Sequence, residues 1–332
     1  MSEDPPHPRD VFELEGGEIV EHAFAAAMSR GRLHHAWLLA GPEGVGKATF
    51  AYRAARRLLG AAPAPQFGVL GAARDDQASR LVAGRAHPDL MVLQRDAEGG
   101  KTRKQIPVEE ARSLPEFFAK TPALGRWRVA IVDQADDLNP SGANALLKTL
   151  EEPPPQGIIL LVSSRPAALL PTIRSRCRVL RFTAPEPEAT AAWLTRRAGI
   201  AADEAAELAV MAGGAPGRAW RLAASGALAV DARARALLAS LPHPDPGEVL
   251  ALTDGFRGAE GAERFALTME RLAARVGETA SARALAGEGE KLDRWAETVT
   301  WLDELQRRVE AVNLDRTDAF HAALSRLKLA AC

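Results

Sequence analysis

Ala36-Trp37-Leu38-Leu39-Ala40-Gly41-Pro42-Glu43-Gly44-Val45-Gly46-Lys47-Ala48-Thr49 reads as a buried strand that runs into a glycine loop and then into a helix. Gly41, Gly44 and Gly46 admit backbone conformations that aim successive amides at phosphate oxygens, and the following helix adds the positive end of its dipole. Lys47 sets a cation beside the β- and γ-phosphates, where a hydrogen bond to a charged group is worth about 1.5–3 kcal/mol. Phe50, Ala54 and Leu58, with Ala51, Ala55 and Leu59, recur at helical spacing, and Gly60 supplies the stop. Strand, loop and helix thus stand in the order that a phosphate-binding loop requires. A dinucleotide fingerprint fits poorly, because Gly44-Val45-Gly46 lacks a third glycine at the needed spacing.

The loop departs from an active ATPase site in two places. Ala48 stands where a Ser or Thr hydroxyl normally completes the magnesium shell. Thr49 follows one residue later, turned by about 100° around the helix, and so is a poor substitute. The apolar run Val129-Ala130-Ile131-Val132 then ends in Asp133-Gln134, where an active P-loop ATPase carries Asp followed by Glu. Asp133 is suited to hold magnesium or its bound water, but Gln134 cannot accept a proton as a carboxylate does, although it can orient water. Asp136 and Asp137 precede a helix and read as solvated caps rather than as replacement bases. Nucleotide binding with weak or absent hydrolysis is the expectation.

Outward from the loop, two more apolar runs appear: Ile158-Ile159-Leu160-Leu161-Val162 leading into Ser163-Ser164, and Val179-Leu180-Arg181-Phe182. Asn139-Pro140 is a good helix start; Ala143, Leu146, Leu147 and Leu150 make one apolar face, and Pro153-Pro154-Pro155 ends it. Alternating strands and helices predict a parallel sheet with helices on its faces. Pro115 should interrupt the helical segment after Pro107. Residues 60–82 read as an irregular Gly/Ala/Pro-rich insertion, and Gly99–Lys104 as a solvated basic turn. After Pro185 and Pro187 the chain turns to helical spacing, with a break near Ser225-Gly226. The expected division is an α/β P-loop domain over 1–184, a small helical domain over 185–225 and an all-α domain over 226–332.

With 42 basic and 43 acidic residues in 332, there is no global basic footprint for nucleic acid. Two cysteines, Cys177 and Cys332, make neither a disulfide framework nor a zinc cluster, and the seven histidines form no metal constellation. Cys177 reads as a small buried residue, not a nucleophile, and Trp127 and Trp220 as packing residues. No apolar run approaches the roughly 18 residues that span a bilayer, and no apolar leader follows Met1-Ser-Glu-Asp-Pro-Pro. A reducing, cytoplasmic setting without membrane contact is expected.

The arrangement resembles the AAA+ subunits of DNA polymerase clamp loaders, and among them the bacterial delta-prime type, over nearly the whole chain. The resemblance rests on His34-His35-Ala36-Trp37-Leu38-Leu39 before the glycine loop, the strand ending at Asp133, and Asn144-Ala145-Leu146-Leu147-Lys148-Thr149-Leu150-Glu151-Glu152-Pro153-Pro154. Thr172-Ile173-Arg174-Ser175-Arg176-Cys177 and Gly213-Gly214-Ala215-Pro216-Gly217-Arg218-Ala219 extend it. It implies an ATPase-type domain, a helical lid and a helical collar that joins a ring of five subunits. It further implies that Arg176 reaches as an arginine finger to ATP on a neighbouring motor subunit, and that Ser163 or Ser164 lies at a sensor position. Arg218 is similar to a lid arginine that contacts phosphates, or is simply a salt-bridged surface group.

Motor subunits keep the magnesium-ligating hydroxyl and the catalytic Glu, and many relatives carry a cysteine-ligated zinc module after the first helix; none of these is present here. The resemblance therefore implies a stator in the DNA polymerase III holoenzyme that takes part in replication. Its partners are the motor and delta subunits, with the sliding clamp and primed DNA reached through the assembly. Gly41, Gly44, Gly46, Lys47, Thr49, Asp133 and Arg218 would hold ATP or ADP with weakly held magnesium, and no zinc is expected. Two other readings stay open: a self-sufficient motor ATPase or other AAA+ remodeller, and a nucleotide-sensing module without turnover.

Overall fold

A computed structural model describes residues 4–31, 33–95, 103, 105–258, 260–287, 292–312 and 314–331. The chain divides into two compact units, Met1–Ala224 and Ser225–Cys332. The first is built on a five-stranded parallel sheet of order β2-β3-β4-β1-β5, with β1 Ala36–Ala40, β2 Leu90–Leu93, β3 Arg128–Val132, β4 Gly157–Ser163 and β5 Arg178–Arg181. The central strands β1, β3 and β4 are buried along their whole length, which is why they read as continuous apolar runs instead of alternating ones. Alternate side chains still divide between two faces. Trp37, Leu39, Val129, Ile131 and Leu160 pack with Phe24 of α1 (Glu18–Ser29) and Phe50 of α2 (Lys47–Leu58). Leu38, Ala130, Val132, Ile159 and Leu161 pack instead with Leu114 and Leu146 from the opposite helical layer.

That second layer holds α4 (Val108–Arg112), α5 (Leu114–Ala119), α6 (Pro140–Glu151) and α7 (Pro171–Ser175). Pro115 separates α4 from α5 as expected, and Asn139 caps α6 by accepting from the Gly142 amide at 2.8 Å. The insertion over 60–82 is more ordered than its composition suggested. Pro63 bridges to Ala72, Leu70 is fully buried, and Asp76 caps a further helix, α3 (Gln77–Ala83). Of the basic turn, Lys101 and its neighbours lie outside the described residues, while Arg103 pairs with Glu110 at 3.3 Å.

Two arginines of α2 that its amphipathic pattern would send to solvent are buried. Arg53 is clasped by Glu21 of α1 at 2.6 Å. Arg56 lies 4.1 Å from the Phe12 ring centroid and donates to the Val11 carbonyl, so the N-terminal segment closes over the helix. Beyond the sheet, α8 (Pro187–Ala198), α9 (Ala202–Met211) and α10 (Pro216–Ala224) complete the first unit, with Trp193 edge-on to Trp220 at 5.5 Å.

The second unit is helical among its described residues: α11 (Ala227–Ala239), α12 (Pro246–Asp254), α13 (Gly261–Leu285), α14 (Leu292–Val312) and α15 (Arg316–Ala331). Phe256, Phe265, Leu272, Leu302, Phe320 and Leu327 form its core. Asp231 of α11, wholly buried, receives Arg271 at 2.9 Å and Arg275 from α13, and Arg235 at 3.0 Å from its own helix. No helix among the described residues is long and apolar enough to cross a membrane.

Candidate nucleotide site and a separate arginine

The glycine loop joins the C-terminal end of β1, between β4 and β5, to the first turn of α2. In an open parallel sheet, ligands bind outside the carboxyl ends of the strands, where connections diverge to either side. Gly44 and Gly46 have φ of 80° and 94°, conformations that other residues reach only with strain. At Gly44 the constraint is also steric, since a Cβ there would lie 2.4 Å from the Arg218 amide nitrogen. The Gly217 amide donates to the Gly44 carbonyl at 2.8 Å, and Arg221 pairs with Glu43 at 2.7 Å, so the start of α10 rests directly on the loop. This brings Arg218 to the same site as Gly44 and Lys47.

Lys47 is buried and its ammonium donates to the carbonyls of Gly41 (2.7 Å) and Pro42 (2.5 Å) and to Ser164 Oγ (3.1 Å). Burial pushes its pKa down to about 8, opposed by Glu43, Asp136 and Asp133. The lysine thus has three oxygen partners that a phosphate would replace. Affinity for ADP should then fall as pH rises through about 8, because the empty site loses the proton that the bound phosphate favours. Titration calorimetry at pH 7 and pH 9 checks this, with Kd expected to rise by up to ~10-fold.

Asp133 follows the last residue of β3 and lies within electrostatic range of Lys47. Gln134 follows in the left-handed region at φ 60°, which costs a non-glycine residue about 1–2 kcal/mol. That turn folds the chain so that Asp136 accepts from Ser163 Oγ (2.7 Å) and from the amides of Ser164 (2.7 Å) and Arg165 (3.2 Å). The expectation that Asp136 and Asp137 are solvated helix caps is therefore corrected. Asp136 ties the end of β3 to the end of β4, and Asp137 pairs with Arg95 at 2.8 Å. Burial first, then the nearby Asp136 charge, raise the Asp137 pKa against the opposing Arg95. Only Ser164 touches Lys47, whereas buried Ser163 faces Asp136. Thr49 lies on the first turn of α2, half-buried.

Arg176 belongs to the other end of the strands, beside β1. It caps α7 just before β5, whose first residue, Arg178, is in register with Trp37 near the start of β1. The glycine loop begins only after Ala40. Three further residues of strand, at about 3.3 Å each, separate the two levels by roughly 10 Å before any loop is counted. Arg176 is about one-third exposed (36%) and pairs with Glu151 at 2.9 Å, while its other terminal nitrogen donates to the Thr172 carbonyl at 3.1 Å. Glu151 is the last residue of α6 and Glu152 its cap. Carboxylates at that negative helix end each cost about 0.3–1 kcal/mol, and an exposed ion pair returns only about 0–1. Beside the arginine, burial pushes the Cys177 thiol up to about 12, which leaves it un-ionised and unsuited to nucleophilic work. Among the described residues no cluster of three or more His, Cys, Asp or Glu side chains could hold a metal.

A family model described as DNA polymerase III, delta subunit, matches residues 17–186. DNA polymerase III subunit delta' of Pseudomonas aeruginosa is 39% identical over 193 residues, 58% of this chain and 56% of that protein. The delta' subunit of Yersinia pestis is 33% identical over 267 residues, 74% of this chain and 76% of that one. The gamma/tau subunit of Mycobacterium tuberculosis (strain H37Rv) is 34% identical over 213 residues, 62% of this chain but 35% of the longer protein. The chain thus spans about half the length of the Pseudomonas relative and about a third of the mycobacterial one. A P-loop on a parallel sheet of order β2-β3-β4-β1-β5, the helices that follow, the family model and the delta' relatives all agree: the chain belongs to the delta-prime family of DNA polymerase III clamp-loader subunits.

Proposed function

We propose that this chain is the stator of a clamp loader, supplying Arg176 to ATP bound by a neighbouring motor subunit while the ring places a sliding clamp on primed DNA. The observation that carries the reading is the separation of the two halves of the chemistry. Arg176 stands beside the strand that carries its own glycine loop but at the opposite end of it, part-exposed and a full strand length away from any phosphate held there, which supports its use on another chain. Its own loop keeps the lysine but has Ala48 for the magnesium-ligating hydroxyl and Gln134 for the base. Such a site can bind ATP or ADP, with Gly41, Gly44, Gly46, Lys47, Thr49, Asp133 and Arg218 around it and magnesium held weakly, yet turn over little.

The motor and delta subunits are the partners in a five-membered ring, and the second unit, 225–332, is the surface that docks into it. Domain limits of 1–184, 185–225 and 226–332 follow from this reading.

Lys47→Ala separates the stator from a self-sufficient ATPase. In a complex reconstituted with motor and delta subunits, clamp and primed DNA, this change is expected to leave ATP turnover within about twofold of wild type, since the hydrolysing sites lie on the motors. Loss of turnover with Lys47→Ala would move this chain among the motors. A thermal shift on adding ADP to the isolated chain, abolished by Lys47→Ala and unaccompanied by hydrolysis, is expected of this site, and only together with unchanged ring turnover in Arg176→Ala would it favour a nucleotide-sensing module.

A further inference from the structure

Arg176 does not stand alone on its edge. One terminal nitrogen is held by Glu151 at 2.9 Å from the end of α6, the other by the Thr172 carbonyl at 3.1 Å from α7. Two separate helices thus fix the plane of one guanidinium, and of its five N–H donors these contacts use two. A free arginine would have to give up most of its rotamer freedom on meeting a phosphate; one already held in a fixed plane gives up less.

Glu151 is otherwise badly placed. It ends α6, where the helix dipole disfavours a carboxylate, and Glu152 beside it adds a second negative charge. About half of its side chain is exposed (51%), so its ion pair is screened and contributes little to folding. A residue that breaks a local rule without a gain in stability is expected where function is served instead.

We propose that Glu151 is a positioning residue for Arg176, holding the guanidinium so that its remaining donors face outward for the phosphates of the neighbouring nucleotide. The proposal rests on the trans-arginine reading above. Glu151 touches no substrate and acts through the arginine. Its removal leaves Arg176 charged and exposed but free to rotate, which lowers the rate of the chemical step without weakening ATP binding at the motor.

The test uses the reconstituted complex with clamp and primed DNA, read by single-turnover hydrolysis at the motor site next to this chain. It compares wild type, Glu151→Ala, Glu151→Gln, Arg176→Ala and the double variant Glu151→Ala/Arg176→Ala. Glu151→Ala is expected to lower the single-turnover rate constant about 10-fold with the half-saturating ATP concentration unchanged, and with a thermal midpoint equal to or above that of wild type, as a merely structural carboxylate would not allow. Glu151→Gln keeps an acceptor oxygen and should recover most of the rate. The double variant should be no slower than Arg176→Ala, because the two residues act as a unit.

If Arg176→Ala slows turnover while Glu151→Ala stays within twofold of wild type, the positioning role is wrong and the finger stands. An undiminished effect of Glu151→Ala in the Arg176→Ala background would also overturn it. Unchanged turnover with Arg176→Ala removes the finger and the positioning role together.

Discussion

Arg176→Ala is expected to lower ATP turnover at the adjacent motor site by at least ~100-fold, equivalent to about 2.7 kcal/mol of transition-state stabilisation. Arginine fingers are typically worth ~10³–10⁵ in rate, because they place a positive, planar donor set where charge develops on the transferring phosphoryl group. The lower bound applies because water and the motor's own lysine still stabilise part of that charge. Arg176→Lys should recover little, since an ammonium cannot present two parallel donors. The loss must be read at the neighbouring site alone, with the remaining motor sites silenced through their own phosphate-loop lysines. In an unmodified ring those sites continue to turn over and would limit the observed change to a few-fold. Arg176 is part-exposed and its ion pair with Glu151 is a surface one, so the substitution should leave folding and assembly intact.

The second large effect lies in the other unit. Asp231→Ala is expected to destabilise residues 225–332 by about 3–5 kcal/mol, because it strands the buried Arg271 without a counter-charge and leaves the largely buried Arg275 only the exposed Glu278. For a unit of this size the thermal midpoint should fall by more than ~10 °C. Replacing Asp231 and Arg271 together by leucine and methionine should restore part of that loss, since the apolar pair avoids the desolvation of both charges while Arg275 keeps Glu278 as its partner.

The pH dependence has a definite sign. Burial by itself would raise the Asp231 pKa, but the hydrogen bonds and charges of Arg275 and Arg271 outweigh it and hold it below the usual value of 3.8. A lowered folded-state pKa means that the pair's contribution is fully present above the unfolded value and is lost as pH falls through the folded one. Denaturant unfolding between pH 7 and pH 3 should accordingly show a steeper acid loss for wild type than for the leucine–methionine pair.

Much of the sheet was legible because buried parallel strands are uninterrupted apolar runs: Ala36–Leu39, Val129–Val132, Ile158–Val162 and Val179–Phe182 each lie in or beside a strand of the structure. β2 was overlooked. Leu90-Met91-Val92 are only half-buried at the sheet's edge, in a strand too short to stand out. α3 was hidden by the glycine and proline around it, although Asp76 before Gln77 carried the capping signal.

In the site, the spacing of Gly41, Gly44, Gly46 and Lys47 placed the loop correctly, since those residues are contiguous and their backbone demands are local. The role of Asp136 was not legible, because its partners Ser163 and Ser164 are brought to it only by the pairing of β3 with β4. The burial of Arg53 and Arg56 was hidden for the same reason: their cover comes from Glu21 and from the segment around Phe12, distant in sequence.

Whether Arg176 serves a nucleotide on another chain is tested most directly by a structure of the assembled loader on primed DNA, with clamp, trapped with ADP and beryllium fluoride. The Arg176 guanidinium is expected within hydrogen-bonding distance, about 3 Å, of the fluoride at the neighbouring motor site. Arg176 remaining on its own surface, with the neighbouring fluoride contacted by other groups only, would contradict it.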